Sequence, residues 1–289
     1  PQIVLDDSEE FRKTVIENFK TEYEKGRTPN PCIVCNKNIK FGKVFEQMEQ
    51  MHYDYVATGH YSKVFYDETS GRYLIRKSSA QTKDQTYMHY NLSQQQLAHT
   101  LFVLGDYDKH QVREIAAKAG LPTAGKKDSQ EICFIENDDY IDFLNKQFGI
   151  TGTPGNFIDE TGKVLGRHQG IIHYTIGQRK GLGIAFGQPM FVTAINAADN
   201  TVTLGEKGAE YREEFVIRDT NFLPFDTLEK PTRFMGKVRY SQKEQPALLT
   251  PLSDKRVKVV FDEPQRAVTP GQSAVFYDGD ILVGGGVIE

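Results

Sequence analysis

The sequence lacks any long hydrophobic run. No stretch of its 289 residues approaches the roughly 18 consecutive apolar residues that a membrane-spanning helix requires. Its first residues also lack the basic segment followed by an apolar segment that is typical of secretory leaders. With a hydrophobic fraction of 38% and a charged fraction of 26%, these absences predict a globular cytoplasmic protein without a membrane partner.

Cysteine is scarce, with residues Cys32, Cys35 and Cys133 alone. So small and odd a number argues against a secreted disulfide framework and leaves reactive or metal-bound intracellular thiols. Cys32 and Cys35 form a C-x-x-C step between a proline-rich loop and an amphipathic helical pattern. With a helix N-terminus and the cations Lys37 and Lys40 nearby, these two thiols are expected to have a lowered pKa.

Four chemistries compete for these thiols. A zinc site needs four ligands, and no second C-x-x-C pair or close histidine pair completes one. A thioredoxin-like redox pair needs a βαβ context, which the loop at 29–31 does not resemble. Inert burial is the ordinary interpretation of a single cysteine such as Cys133. In sulfur transfer, one cysteine carries a persulfide and a second, distant in sequence but close in space, resolves it.

The net charge of −4 is mildly unfavourable for a nucleic-acid partner, because phosphate neutralisation normally supplies much of the affinity. Basic residues nevertheless form four clusters, namely Lys37/Lys40/Lys43, Lys126/Lys127, Arg179/Lys180 and Lys237/Arg239/Lys243. Each cluster taken singly indicates a solvated face rather than a binding site.

The first half of the chain has the pattern of an α/β domain. Asp7 and Glu10 have the spacing of a capping box before a first helix. The strand-like segment 53–61 contains Gly59-His60 near its end, where parallel sheets place ligands. A hairpin is predicted from 64–66 and 73–75. Apolar spacing predicts helices within 11–23, 41–48, 93–100, 109–119 and 138–148.

The composition and the hydrophobic pattern of the sequence change near residue 150. Glycine becomes frequent, and short apolar runs of strand length alternate with turn residues. Past about residue 210, the strand-like segments predict a small β-barrel. Gly284-Gly285-Gly286 is interpreted as a turn of this barrel.

Six segments together resemble the bacterial tRNA-specific 2-thiouridylase family. They follow the family's order through nearly the whole chain, at 26–41, 57–61, 83–85, 127–135, 174–183 and 238–240. The resemblance implies three parts. They are the remnant of a parallel-sheet α/β domain of the ATP-pyrophosphatase type at 1–149, a small central β-rich adaptor domain at 150–209, and a tRNA-contacting C-terminal β-barrel at 210–289.

The resemblance also implies a transferase that uses ATP and Mg²⁺ to install sulfur at C2 of the wobble uridine in the tRNA anticodon stem-loop. ATP adenylates the C2 oxygen, which is otherwise a poor leaving group. The base is swung out of its stack. A persulfide on Cys133, loaded by a sulfur-donor protein, delivers the sulfur, either directly or as sulfide released by Cys35. Both routes end in a Cys35–Cys133 disulfide.

Residue roles follow from the same resemblance. Cys35 matches the first catalytic cysteine and Cys133 the second. The target base is expected to contact Asn30, Pro31 and Cys32, and Gly59 is expected to line ATP. The residues expected to contact tRNA are His60, Lys83, Asp84, Gln85, Arg239, Tyr240 and Gln272.

Two departures from the family pattern matter. Many members carry aspartate where Cys32 stands, so an alternative is that Cys32, Cys35 and Cys133 hold a [4Fe–4S] cluster with one open iron. No other residues are expected to be metal ligands. The family's phosphate loop, S-G-G-x-D-S, does not occur in this sequence. The chain as written is therefore expected to be inactive without an upstream loop, and a shortened sequence is favoured over a loopless protein.

Two rival functions stay open. One is a loopless module that binds tRNA or a sulfur carrier without catalysis. The other is an iron–sulfur or zinc scaffold protein, which predicts tight metal binding without tRNA affinity.

Overall fold

The computed structural model describes residues 2–125, 132–185, 187–253 and 255–289. The α-helices in these ranges are α1 (Ser8–Phe11), α2 (Glu17–Glu24), α3 (Pro31–Cys35), α4 (Val44–Gln50), α5 (Gln94–Ala98), α6 (Lys109–Lys118) and α7 (Tyr140–Phe148). π-helical turns join α1 to α2 at Arg12–Ile16 and α3 to α4 at Asn36–Lys43. Short 3₁₀ turns lie at Gln81–Lys83, Thr86–His89, Glu136–Asp138 and Ile171–His173. No helix of the described chain has the length and apolarity needed to cross a membrane.

The strands fall into three sheets. They are β1 (Val56–Thr58), β2 (Ser62–Asp67), β3 (Arg72–Lys77), β4 (Thr100–Phe102), β5 (Gly155–Ile158), β6 (Val164–His168), β7 (Met190–Asn196), β8 (Thr201–Glu206), β9 (Tyr211–Phe222), β10 (Thr232–Lys237), β11 (Gln245–Pro251), β12 (Val257–Arg266), β13 (Ser273–Asp278) and β14 (Ile281–Ile288).

The first domain contains a parallel pair, β1 and β4, with Val56 opposite Thr100. Parallel strands need a long crossover, and here it runs through the hairpin β2–β3 and α5. Phe41 and Phe45, one helical turn apart, bury their rings in the core beside this pair. The predicted α/β class of this domain is confirmed.

The middle domain is a four-stranded sheet in the order β6-β5-β8-β7, with β5 and β8 parallel. Its core also takes in helices from outside the sheet, because Phe19 and Tyr23 on α2 and Leu144 on α7 are buried against Phe157 and its neighbours. Helix α2, near the start of the chain, thus belongs physically to the middle domain.

The last six strands close into a barrel in the order β13-β10-β11-β12-β9-β14, with β14 pairing back onto β13. Alternating burial along a strand gives a barrel one apolar inner face. In β12, Val257, Val259 and Phe261 are buried while the residues between them are more exposed. The predicted C-terminal β-barrel is confirmed. The predicted hairpin β2–β3 also forms, and it extends the barrel sheet through Ile75 opposite Leu282.

Two local predictions in the first domain were wrong. Asp7 precedes α1, yet its side chain makes no capping hydrogen bond. Reciprocal capping boxes occur instead where Ser93 begins α5 and Asp108 begins α6, each with glutamine three residues on. The predicted strand 53–61 is shorter than expected, since only β1 pairs with a neighbour.

The glycines at 284–286 are not a turn but lie inside β14. Gly284 has a φ of +154°, and a Cβ there would stand 2.2 Å from the Asn221 carbonyl oxygen. At Gly285 a Cβ would stand 2.6 Å from the Ala274 oxygen and 3.0 Å from the Tyr90 ring. Glycine is required because β14 is pressed between β9, β13 and the first domain.

Gly284→Ala is expected to destabilise the protein by about 3 kcal/mol, because it combines a disfavoured φ with a backbone clash. The free energy of unfolding from urea titration measures the effect. Gly125→Ala is the matched control, since a Cβ at Gly125 meets nothing within 4 Å. Equal stability of the two variants would contradict this account of β14.

Candidate functional site

The helix that carries the C-x-x-C pair begins at Pro31. The Asn30 side chain accepts a hydrogen bond from the Ile33 amide at 3.3 Å, which caps the helix. Proline suits the first helical position because its missing N–H would have no partner there. The cap therefore places Cys32 in the first turn and Cys35 at the last residue of α3.

The structure brings the three cysteines together as free thiols. Cys32 and Cys133 are exposed, whereas Cys35 is half-buried. The charge of Cys133 acts on both other thiols and contributes to raising the pKa of each. The segment 127–135 that predicted this site lies partly outside the described residues, which resume at Ile132.

The expected lowering of the thiol pKa values was wrong. Burial is the largest influence and raises the pKa of both Cys32 and Cys35. The Cys32 side chain is exposed to solvent, yet the surrounding protein still desolvates its thiolate. Lys40 favours the charged forms, yet its effect does not overcome burial, and α3 with its five residues adds only a short helix dipole.

Lys40 reaches the thiols because of the π-helical turn. In an α-helix, residues i and i+5 lie on different faces, but a π-helix bonds i to i+5 and aligns them. The Val44 amide donates to the Ile39 oxygen in this pattern. Cys35 and Lys40 are separated by the same interval, so the turn carries the ammonium toward Cys35. The sequence marked Lys40 only as one member of a basic cluster.

His60 holds the Lys40 side chain. Its Nε2 lies 3.4 Å from the Lys40 ammonium, and its Nδ1 lies 3.0 Å from Thr58 Oγ1. Burial, followed by the charge of Lys40, lowers the pKa of His60 to about 4. The ring is therefore neutral at pH 7, accepting from Lys40 at Nε2 and donating from Nδ1 to Thr58.

Sequence reasoning missed His89, which lies under His60. Its ring is fully buried, 4.8 Å from the His60 ring centroid and stacked on Phe102 at 4.9 Å. Its Nδ1 is 2.9 Å from Ser62 Oγ, whereas Nε2 is buried without a hydrogen-bond partner among the described residues. Burial holds the pKa of His89 well below the usual range. No local motif in the sequence marks this residue.

The predicted segments 57–61 and 83–85 meet each other. The Tyr61 amide donates to Gln85 Oε1 at 2.9 Å, and the Gln85 amide donates back to the Tyr61 oxygen at 2.9 Å. The Asp84 carboxylate accepts from the Ser78 amide at 3.1 Å and from the Thr86 hydroxyl. Asp84 and Gln85 thus use their side chains to shape this loop, which the half-buried Lys83 shares.

Gln272 ties the barrel to the loop that leads into α3. Its Nε2 donates to the carbonyl oxygens of Thr28 and Pro29, each at 3.0 Å, and the Thr28 amide donates to the Pro270 oxygen at 2.9 Å. Gly271 permits this approach, because a Cβ there would stand 2.9 Å from the Thr28 oxygen.

Arg239 ties the barrel to the middle domain. Its Nη2 donates to Thr269 Oγ1 at 2.7 Å and to the Ile176 oxygen at 3.3 Å. Its burial lowers the pKa of the guanidinium. Tyr240 beside it is 40% exposed, and the buried Lys237 ammonium lies 5.8 Å from its ring centroid. The side chain of Tyr240 is thus available to a ligand, whereas Arg239 donates both of its hydrogen bonds from Nη2, and its buried Nε has no hydrogen-bond partner among the described residues.

Gly59 follows β1 at the carboxyl end of the parallel pair. It is exposed, and a Cβ there would meet only Leu104 Cδ1, at 3.6 Å. Packing within the described residues therefore does not require glycine, and open space remains where α/β sheets bind ligands.

A metal ion is held only where several ligand side chains converge. Among the described residues, no three side chains of His, Cys, Asp or Glu are placed to hold a metal ion. The described residues therefore supply no ready-made site for a single metal ion, and the [4Fe–4S] cluster and Mg²⁺ stay predictions.

Lys40→Met is expected to raise the pKa of the Cys35 thiol further, because it removes the charge that favours the thiolate while preserving the apolar stem. The midpoint of the pH profile for alkylation of Cys35 by iodoacetamide then moves upward, as read by peptide mass spectrometry. Lys37→Met on the same helix is the control. An equal shift in both variants would contradict the role assigned to the π-helical turn.

Three family models match successive segments of this chain. Family models match residues 1–137 as a tRNA methyl transferase HUP domain, residues 141–206 as a tRNA methyl transferase PRC-barrel domain, and residues 212–288 as an aminomethyltransferase β-barrel domain. The three matches follow one another in the order of the sheets described above.

Relatives match over the whole chain. It is 53% identical to the tRNA-specific 2-thiouridylase MnmA of Acetivibrio thermocellus and 52% identical to that of Clostridioides difficile, in each case over 100% of this chain and 80% of the relative. It is also 53% identical to the tRNA-specific 2-thiouridylase MnmA 2 of Caldanaerobacter subterraneus subsp. tengcongensis, over 99% of this chain and 79% of the relative. The resemblance carried by the six sequence segments is confirmed, and the chain belongs to the tRNA-specific 2-thiouridylase family.

Proposed function

We propose that this protein replaces the C2 oxygen of the wobble uridine of tRNA with sulfur, with Cys133 and Cys35 as the reacting thiols. The observation that carries the proposal is that Cys133, far along the chain, lies within electrostatic reach of both cysteines of α3. Membership of a family whose relatives are named tRNA-specific 2-thiouridylases supports tRNA as the substrate.

The base faces Cys32 in this proposal. Pro31 is buried, and Asn30 uses its side-chain oxygen to cap α3, so Cys32 is the exposed side chain of the three residues expected at the base. A uridine must leave its stack to reach a thiol at a helix start. Asn30 and Pro31 then act by fixing where the helix begins.

ATP has a place at the end of β1, where Gly59 leaves open space. When bound, it supplies activation of the C2 oxygen as a leaving group. The neighbouring His60 is neutral and is held by Thr58 and Lys40, so it adds no positive charge of its own to that edge of the sheet.

Sulfur transfer then depends on the two catalytic thiols. A donor protein loads Cys133 with a sulfane sulfur, and exposure of Cys133 makes it accessible to such a partner. The terminal sulfur attacks C2, the C2–O bond breaks, and the oxygen would depart as part of AMP after adenylation. The Cys35 thiolate attacks the inner sulfur, the sulfur–sulfur bond breaks, and the electron pair stays with the sulfur on the base. A Cys35–Cys133 disulfide remains, and a thiol reductant must return it to the free thiols.

The raised thiol pKa values fit this order of events. A protonated Cys35 is a weak nucleophile and does not attack the persulfide prematurely. Lys40 stabilises the thiolate once a base removes the proton, so the cation acts on the resolving step rather than on the resting state.

Cys133→Ser and Cys35→Ser are each expected to abolish thiolation without weakening tRNA binding. The measurement is 2-thiouridine in total tRNA from cells carrying each substitution, by nucleoside mass spectrometry, with the affinity of purified protein for tRNA measured in parallel. Normal thiolation in the Cys133→Ser strain would refute the catalytic role. Binding of tRNA by a wild-type protein that never produces 2-thiouridine would favour the module without catalysis.

Cys32→Ser distinguishes the thiol mechanism from a cluster. If Cys32 only faces the base, serine at this position is expected to leave 2-thiouridine detectable, because the persulfide and resolving thiols are intact. A loss as complete as in Cys133→Ser, together with absorbance near 400 nm after anaerobic reconstitution, would favour the [4Fe–4S] alternative.

A further inference from the structure

The segment 174–183, here called the junction loop, touches all three domains. Thr175 Oγ1 lies 3.2 Å from Thr28 Oγ1 in the first domain. The barrel donates twice to its backbone, from Arg239 to the Ile176 oxygen and from Arg266 to the Gly177 oxygen, both at 3.3 Å. The loop itself belongs to the middle domain.

The junction loop is held in one shape. The Gln178 side chain accepts from the Thr175 amide and donates to the Lys180 oxygen, each at 3.0 Å. Two backbone bonds join it to β7 through Val192, and Leu182 is buried in the middle-domain core. Gly177 has a φ of +85°, and a Cβ there would stand 2.5 Å from the Ala267 side chain.

Two cations stand on this braced loop. Arg179 and Lys180 are exposed, and in the described part of the chain neither makes a salt bridge. Exposed cations on a rigid loop suit a phosphate backbone. The loop is already ordered, so binding costs little conformational entropy beyond that of the two side chains.

The junction loop also contacts the segment that precedes the thiol-bearing helix α3. Thr28, which it touches, precedes Cys32 by a short stretch that ends in the cap of α3. The junction loop, which carries Arg179 and Lys180, is thus connected through Thr28 to the segment that leads into α3.

We propose that Arg179 and Lys180 form a phosphate clamp for bound tRNA, and that Arg239 is a positioning residue that holds the junction loop. This inference rests on the proposed function. It gives Arg239 the role of a brace, because its Nη2 donates to the Ile176 oxygen of the loop and to Thr269 Oγ1.

The test is the salt dependence of tRNA affinity, measured on the full chain with unmodified tRNA. For the double variant R179A/K180A, the slope of log affinity against log salt concentration is expected to become shallower by about two, one for each lost phosphate contact. The matched control is K207A/K230A, which removes two exposed lysines from distant turns and is expected to leave the slope unchanged. Thermal unfolding verifies that both proteins fold.

A second measurement separates bracing from contact. If Arg239 acts through the loop, Arg239→Ala weakens binding in the wild-type background but adds no further loss to R179A/K180A. Additive losses, with a separate change of slope from Arg239→Ala, would overturn the positioning role. An unchanged slope in R179A/K180A while wild-type protein binds tRNA would overturn the clamp alone. Failure of the wild-type protein to bind tRNA would overturn both the clamp and the proposed function.

Discussion

The hydrogen bonds from Gln272 to the loop before α3 are the constraint on which the site depends. Carbonyl groups that are partly buried need donors, and the loop at 28–29 has no regular structure of its own to supply them. The barrel provides the donor through one amide side chain, with a second bond from Thr28 to Pro270. Where this loop ends, Asn30 caps α3, so the barrel indirectly determines where the thiols stand.

The three domains share their cores, which extends the same constraint to the whole molecule. Phe19 on α2 is buried in the middle-domain core, and the hairpin β2–β3 continues the barrel sheet through Ile75 and Leu282. Because each domain contributes side chains to its neighbour, separating them would expose apolar surface. The thiols, the edge at Gly59 and the junction loop are therefore held in fixed relation.

Two opposed effects, desolvation by burial and the charge of Lys40, determine the protonation of the thiols. Burial disfavours the thiolates of Cys32 and Cys35, while Lys40, held by a neutral His60, favours them. The sequence displayed the cations and the helix start, and so favoured lowered pKa values. It contained no measure of desolvation, which depends on the surrounding chain and is the larger effect here.

The sequence by itself determined the elements whose causes are local. The proline after Asn30 began α3, the alternation in β12 marked a barrel strand, and the separated cysteines indicated thiol chemistry. Only the tertiary structure decided what depends on distant partners. It placed Gly284 inside a strand and brought Cys133 to α3, and it engaged Arg239 with the junction loop. The physical reason is that close approach, desolvation and hydrogen-bond pairing arise between residues far apart in the chain, and no local pattern records them.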